Sequence, residues 1–171
     1  MDSSPRDEAV APVEGETRVD TIGAQSKAID TLIDLAGDRL LVFDRDLSER
    51  GWNASRRADR LAAFLRRSRH ARLSIIVHDS RYVEAACPRL KDLLKVYSHA
   101  MSLWRTGPEA RAASDALVIA DGRHYLHRYH VDQPRATLAI AMPAAAKTLV
   151  ARFEEIWATG EPALGGSVLG L

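Results

Sequence analysis

Two short, mostly apolar segments, each followed by residues with helical spacing, constrain the fold of this chain most strongly. They cover residues 39–43 and 73–77, and both run into charged or polar residues. Apolar runs of this length are typical of strands buried on both faces of a sheet. Two strand–helix units in succession predict parallel strands joined by right-handed crossovers.

Four helices are predicted from apolar residues spaced three and four apart. The first is expected to end near Gly37, because glycine favours helix termini. Pro88 and Pro143 are expected to open regular helices, since a proline in a helix interior removes a hydrogen bond and clashes with the preceding turn. The apolar stripes lie within residues 29–36, 58–65, 83–94 and 149–157.

The second half of the chain predicts antiparallel strands. Residues 116–120 and 123–129 flank Asp121-Gly122, a dipeptide typical of two-residue hairpins. Together with the strand–helix units, this pattern predicts an α/β fold with a mixed, mostly parallel sheet flanked by helices on both faces. Two further strands are expected at residues 100–104 and 135–142.

The 171 residues fall in the size range of one globular domain. The first 20 contain six acidic and two basic residues and show no apolar periodicity, so they cannot recover the entropy cost of ordering. We therefore expect a disordered acidic tail over residues 1–22, one domain over residues 23–160 and a flexible tail over residues 161–171.

The composition also predicts the compartment. No run of about 18 apolar residues is present, so membrane insertion is not expected. The N-terminus lacks the basic start and apolar stretch of a secretory signal, and the single cysteine, Cys87, fits a reducing environment. These features predict a cytoplasmic protein.

Positive charge is concentrated in one segment. Residues 56–72 contain seven arginines and one aspartate, which would attract a polyanion. On the predicted helix, Arg56, Arg60 and Arg67 lie away from the apolar stripe and are candidate contacts for an anion or a nucleic acid. The alternative is a solvated helix face, because no aromatic residues that could stack on bases are interleaved with these arginines.

Polar residues follow the first two predicted strands. Asp44 and Asp46 come after the first strand, and His78 and Asp79 after the second. The carboxyl ends of neighbouring parallel strands form the usual ligand crevice of open α/β sheets. These four residues are the candidate ligand site, in which a carboxylate and a histidine could act as base and acid. The alternative is that they cap loops and form ion pairs.

No known cofactor or metal motif is present. His124, His127 and His130 are spaced three apart, which on a strand puts the middle one on the opposite face from the other two. Without further ligands or a paired-cysteine motif they do not predict a metal site. No nucleophile elbow, phosphate-binding glycine loop or dinucleotide fingerprint occurs, so no cofactor is expected.

Four segments, taken in order, resemble a family of uncharacterised bacterial domains in the phospholipase D-like superfamily. The similarity covers roughly residues 24–163. Some members of the family are associated with acetyltransferases. The resemblance implies an α/β fold equivalent to one phospholipase D half. The four segments are RLLVFDRDL, FLRRSRHARLSIIVHD, DALVIADGRHYLHR and ARFEEIWATGEP.

The catalytic motif of that superfamily, His-x-Lys-x-x-x-x-Asp, is missing. Its histidine attacks phosphorus and its lysine neutralises phosphate oxygens. Alignment of the motif's strand with residues 116–120 puts Ala113, Asp115 and Ala120 at the three positions, and an aspartate in place of the lysine would repel an anion. Shifting the alignment does not restore the motif, because no His-x-Lys pair occurs in the chain.

The resemblance therefore implies a degenerate domain with a binding or regulatory role and with no catalytic residues assigned. Because two halves meet in that superfamily, it also implies a homodimer. Two alternatives stay open. One is a phosphodiesterase or nuclease that uses a non-standard site such as His78 with Asp44 or Asp46. The other is an accessory subunit that has an acetyltransferase as its protein partner.

Overall fold

A single eight-stranded sheet forms the centre of the domain. The structure is a computed structural model and describes residues 12–164. Each predicted strand is present, and two short strands are added at the ends of the chain. The strands are β1 (Gly15–Arg18), β2 (Arg39–Asp44), β3 (Arg72–Val77), β4 (Met101–Arg105), β5 (Ala116–Ala120), β6 (His124–Arg128), β7 (Ala136–Ile140) and β8 (Glu161–Pro162).

The expectation of a mostly parallel sheet is wrong. The strand order is β1-β7-β6-β5-β2-β3-β4-β8, and only the pairs β2–β3 and β3–β4 are parallel. The other five pairs are antiparallel. Short loops account for β5–β6 and β6–β7, which the sequence already predicts to be antiparallel. The other three antiparallel pairs, β1–β7, β2–β5 and β4–β8, join strands that are distant in the sequence and make antiparallel pairs the majority.

Helices cover both faces of the sheet, as the sequence predicts. The residues of α1, α2 and α4 pack on the face that carries Leu40, Val42 and Ile75. The opposite face, with Leu41 and Phe43, is covered by α5. None of the helices within residues 12–164 is long and apolar enough to cross a bilayer. The helices are α1 (Ile22–Leu35), α2 (Ser55–Arg67), α3 (Arg81–Ala86), α4 (Pro88–Val96) and α5 (Pro143–Ala158).

The ends of the domain lie further out than the expected boundaries at residues 23 and 160. β1 falls in the predicted acidic tail and pairs with β7, and β8 falls in the predicted C-terminal tail and pairs with β4. Backbone hydrogen bonds to sheet edges order these segments, and such pairing needs no apolar periodicity in the sequence. The remaining tail residues, 1–11 and 165–171, lie outside the described part of the chain.

The predicted hairpin at Asp121-Gly122 is confirmed. Both residues have positive φ, 53° and 64°, as a two-residue turn between twisted strands requires. The Asp121 carboxylate also accepts the backbone N–H groups of Gly37, Asp38 and Arg39 at 2.8–3.0 Å. Burial would raise the pKa of Asp121, but these three donors outweigh it and hold the pKa below its usual range. The turn thereby fixes the loop that leads from α1 into β2.

Candidate functional site

Asp44, at the carboxyl end of β2, is buried in an ion pair. Its Oδ1 accepts a hydrogen bond from Nη2 of Arg128 on β6 at 3.1 Å, and its Oδ2 accepts the backbone N–H of Leu47 at 3.2 Å. Burial raises the pKa of Asp44, and the opposing effect of Arg128 reduces that rise without cancelling it. The carboxylate faces the helix-rich side of the sheet and has little contact with solvent.

A polar network extends from this ion pair to the loops around it. Arg128 also donates to Glu49 at 3.3 Å, and Glu49 pairs with Arg50. Arg50 donates through Nε to the fully buried Gln25 of α1 at 2.6 Å. Gln25 in turn donates to the backbone carbonyl of Val19. The network therefore joins α1, β2, β6 and the segment before α1 through buried side chains and the exposed Glu49.

The space beside this network is small. Asp44, Arg50 and Arg128 line a cavity of about 20 Å³ together with apolar residues, which is room for about one water molecule. Nε of Arg128 is buried and makes no hydrogen bond within residues 12–164. A cavity of this size cannot admit an organic substrate, so Asp44 is positioned as a structural residue.

His78 lies on the opposite face of the sheet from Asp44. Its ring packs edge-on against Phe43 with centroids 5.2 Å apart, on the face covered by α5. Both ring nitrogens are occupied: Nδ1 is 2.7 Å from Oγ1 of Thr106 and Nε2 is 2.6 Å from the carbonyl oxygen of Ala113. Because a carbonyl only accepts, Nε2 carries the proton in this contact. The structure therefore does not bring His78 and Asp44 together as an acid–base pair.

The other two predicted site residues form local contacts. Asp46 accepts the backbone N–H of Ser48 at 3.0 Å and its hydroxyl at 2.7 Å, in a turn. Asp79 accepts the backbone N–H of Arg81 and pairs with its guanidinium. These hydrogen bonds lower the pKa of Asp79 to about 2. Both carboxylates therefore cap loops, which is the alternative that the sequence left open.

Of the three predicted anion contacts, two are engaged with α1. Arg60 pairs with Asp34 and lies 3.7 Å from Asp30. Arg67 donates to the carbonyl oxygens of Asp34 and Ala36 at the end of α1. Arg56 is exposed and forms no hydrogen bond or ion pair with any residue between 12 and 164. The arginines of α2 thus mainly hold this helix against α1.

The three spaced histidines have separate partners. Nδ1 of His124 accepts the backbone N–H of Ala141 at 2.8 Å, and Nδ1 of His130 accepts that of Asp132 at 3.1 Å. Nε2 of His127 lies 3.0 Å from Oδ2 of Asp115. Within residues 12–164, no three histidine, cysteine or acidic side chains lie close enough to hold a metal ion.

Sequence reasoning missed a cluster formed by Asp115, His127 and Arg152. Asp115 immediately precedes β5, His127 is on β6 and Arg152 is on α5. Arg152 donates to both carboxylate oxygens of Asp115, through Nε at 2.9 Å and Nη2 at 2.7 Å. Burial would raise the pKa of Asp115, but the hydrogen bonds from His127 and Arg152 outweigh it and hold the pKa below its usual range.

This cluster corrects the expected effect of Asp115 at the motif's lysine position. An unpaired aspartate would repel an anion, but the charge of Asp115 is neutralised by Arg152. A register shifted by one residue places the motif's aspartate at Asp121 and its histidine and lysine at Ser114 and Ala116. Neither register places a histidine and a lysine at the first two motif positions. The predicted hairpin was the one sequence signal for the contact between Asp115 and His127, because its pairing puts Leu117 opposite His127 and Asp115 two residues before Leu117.

Comparisons with known proteins agree with the geometry of the fold. The model of a family described as a domain of unknown function (DUF7931) matches residues 22–164, and no curated protein matches the sequence. The fold is similar to that of TrmBL2, an archaeal chromatin protein described with a novel mode of DNA binding, at a TM-score of 0.69 and 15% identity. That match covers 93% of this chain, which spans only 58% of the TrmBL2 chain.

Two further solved structures are similar as well. Nuc of Salmonella typhimurium, a phospholipase D family member, matches at a TM-score of 0.60 and 13% identity, over 86% of this chain and 97% of its own. NucT of Helicobacter pylori matches at a TM-score of 0.58 and 9% identity, over 86% of this chain and 98% of its own. These similarities show a phospholipase D-like fold.

We predict that Asp44 and Arg128 are energetically coupled. Arg128→Met alone should cost about 3–5 kcal/mol, because it leaves a buried carboxylate without its partner. Combining it with Asp44→Asn removes both charges, so the double variant should lose less stability than the sum of the single variants, by about 1–3 kcal/mol. Urea unfolding of the four proteins measures this. Strictly additive losses would contradict the buried pair.

We also predict that the stability contribution of Asp115 depends on pH. Its pKa is depressed in the folded state, so its contribution is fully present above the ordinary aspartate pKa of about 4. As the pH falls below that value, the unfolded chain takes up a proton that the folded chain does not, and the contribution is lost. The stability difference between wild type and Asp115→Asn should therefore shrink between about pH 5 and pH 2. A constant difference over that range would refute this assignment.

Proposed function

The chain belongs to the DUF7931 family, a domain of unknown function, and we propose that it is a non-catalytic binding or regulatory domain on a phospholipase D-like scaffold. One observation carries the proposal: two carboxylates near the strand ends are each paired with an arginine. Asp44 is paired with Arg128, and Asp115 is paired with Arg152. The chain also contains no His-x-Lys pair.

Phosphodiester hydrolysis needs groups that neither His78 nor Arg128 leaves free. A nucleophile must reach phosphorus, and a cation must meet the developing charge on the phosphate oxygens. His78 uses both ring nitrogens in contacts with Thr106 and Ala113. Arg128 is buried against Asp44 beside a cavity that fits about one water molecule. These contacts support a structural role for both residues.

One observation favours the alternative of a phosphodiesterase. The imidazole of His127 is oriented by a carboxylate, as in many general bases, and Arg152 lies on the same carboxylate. If the protein is an enzyme, His127 is therefore a better candidate for the reacting group than the combination of His78 and Asp44. Nδ1 of His127 makes no hydrogen bond within residues 12–164 and could accept a proton.

An activity assay decides between the two readings. We predict no hydrolysis of bis(p-nitrophenyl) phosphate or of single-stranded DNA above a no-enzyme control, with Mg²⁺, Mn²⁺, Zn²⁺ or EDTA. The controls are His127→Ala and His78→Ala, purified in parallel. Turnover that His127→Ala abolishes and His78→Ala leaves intact would establish the enzyme reading at His127. Turnover that survives in both variants would point to a contaminating enzyme.

The proposal includes the association of two copies, which follows from the two-half architecture of the superfamily. Light scattering of the full chain should then give about twice the monomer mass of 18.8 kDa. A monomer at all concentrations up to about 100 μM, far above the Kd range of specific complexes, would remove the homodimer from the proposal.

Partners of other kinds have weaker support. The similarity of the fold to a chromatin protein favours nucleic-acid binding. Arg60 and Arg67, however, are engaged with α1, and of the three arginines only Arg56 has a side chain without a partner in residues 12–164. An acetyltransferase partner rests on the family resemblance, and pull-down with the full chain would test it. The cytoplasmic location is likewise a proposal that cell fractionation would test.

A further inference from the structure

A cluster of positive side chains lies at the amino ends of the parallel strands, at the end of the sheet opposite Asp44 and His78. Arg72 begins β3, Arg66 lies in the last turn of α2 and Lys95 lies in the last turn of α4. This cluster is therefore separate from the candidate site at the carboxyl ends of the strands. Four exposed side chains define the basic patch: Arg66, Arg69, Arg72 and Lys95.

Contacts between α2, α4 and β3 place these cations on one continuous surface. Nη1 of Arg66 donates to the hydroxyl of Tyr97, the residue that follows α4, at 3.2 Å. The turn after Tyr97 then reaches the start of β3, where the carbonyl oxygen of Ala100 accepts a backbone N–H at 2.9 Å. Nη1 of Arg72 donates to the carbonyl oxygen of Arg69 at 3.0 Å. The ends of both helices and the start of β3 are thus joined at the patch.

None of the four cations of the basic patch forms an ion pair within residues 12–164. The segments 60–78 and 93–108, which carry all four, contain no aspartate or glutamate. Two acidic residues border the patch. Asp38 accepts the backbone N–H of Arg72 through its carbonyl oxygen, and Asp92 lies three residues before Lys95 on α4. The patch therefore keeps a concentrated positive charge at the surface.

The ends of the two helices account for only part of this charge. A helix C-terminus carries about half a unit of negative charge, which favours basic side chains in the last turn. The C-termini of α2 and α4 together would therefore offset about one of the four positive charges. Arg67, also in the last turn of α2, is already used on carbonyl oxygens of α1. Most of the charge of the patch thus has no structural use within the domain.

We propose that the basic patch binds the phosphate backbone of a nucleic-acid duplex. Three of its four cations are arginines, whose planar guanidinium groups can donate to two phosphate oxygens at once. Contacts of this kind fix a protein on a duplex without reading its sequence. The inference rests on the proposed binding role and deepens it, because it gives a domain without catalytic activity a class of partner.

The side chains around the patch favour a duplex over other polyanions. Tyr97 is half-buried against the core, which leaves little of its ring for stacking on the unpaired bases of a single strand. Val96 is exposed beside the patch, but one valine is too little apolar surface to insert into the boundary of an anionic membrane. The patch therefore offers charge and hydrogen-bond donors for a phosphate backbone.

The test measures binding of the full chain to a fluorescently labelled DNA duplex by anisotropy, over a range of salt concentrations. Four phosphate contacts predict a salt slope of about −3.6, and about a hundredfold loss of affinity between about 50 and 200 mM salt. Arg69→Gln and Lys95→Gln change exposed side chains on two different elements. Each removes one contact, so each should weaken binding about five- to tenfold at about 0.1 M salt and reduce the slope by about one.

Arg56→Gln is the matched control, because it removes the same charge from the opposite end of α2. Arg56 lies about 15 Å from Arg66 along the helix axis, beyond the screening length at about 0.1 M salt. Arg56→Gln should therefore change the affinity less than about twofold and leave the slope unchanged. Thermal unfolding of the three variants checks that each keeps the stability of the wild type.

Three results would overturn the inference: no binding of the duplex at about 50 mM salt, tighter binding of single-stranded DNA of the same length, or a loss of affinity in Arg56→Gln as large as in Arg69→Gln. Binding to phosphatidylserine vesicles without binding to the duplex would overturn it as well and assign the patch to a membrane surface. Phosphodiester turnover would instead overturn the non-catalytic proposal, and the relative affinities of the three variants would still decide the role of the patch.

Discussion

The buried ion pair between Asp44 and Arg128 is the contact on which the rest of this domain depends. It joins β2 to β6 across the strand β5 that separates them. Removing two charges from water is costly, and the cost is offset only if their hydrogen-bonding capacity is used. Leu47 and Glu49 supply further contacts to the pair, whereas Nε of Arg128 makes no hydrogen bond within residues 12–164. The loops that carry these residues are thereby fixed to the sheet from the inside.

The alternation of side chains along the strands then decides what the strand ends can do. Asp44 is paired with Val77 across β2 and β3, and both side chains point to the side of α1 and α2. His78 is the next residue after Val77, so its side chain points to the side of α5. The backbones of Asp44 and His78 are neighbours at the edge of the sheet, but their side chains lie on opposite faces of it. On one side the charges are buried and paired. On the other side, Asp115 orients His127 and Arg152 beside open solvent. The polar groups of this region that lie beside solvent are therefore found on the α5 side.

The sequence predicted local features well because local physics sets them. The apolar runs of β2 and β3, the turn at Asp121-Gly122 and the prolines at the starts of α4 and α5 each determine structure within a few residues. The mostly antiparallel sheet was not predicted, because the position of β5 beside β2 depends on tertiary packing. β1 was missed because its order comes from backbone pairing with β7.

The site residues were harder to predict than the fold. Asp44, Asp46, His78 and Asp79 were grouped by their place in the chain, and sequence alone could not tell which face each would occupy. Arg128, the partner of Asp44, lies 84 residues away in the sequence. Arg152 of α5, the partner of Asp115, lies 37 residues away. An arginine on a strand or helix gives no signal of such a pairing in a single sequence.

Histidine and carboxylate groups at the strand ends hold the loops of this fold to the sheet. The most direct test is the NMR signal of the His78 ring N–H in the full chain. The structure predicts a slowly exchanging proton on Nε2, because this nitrogen donates to the carbonyl of Ala113 while Nδ1 contacts Thr106. A ring proton that exchanges rapidly with water would mean that His78 is free at the surface, and it would contradict the structural role assigned here.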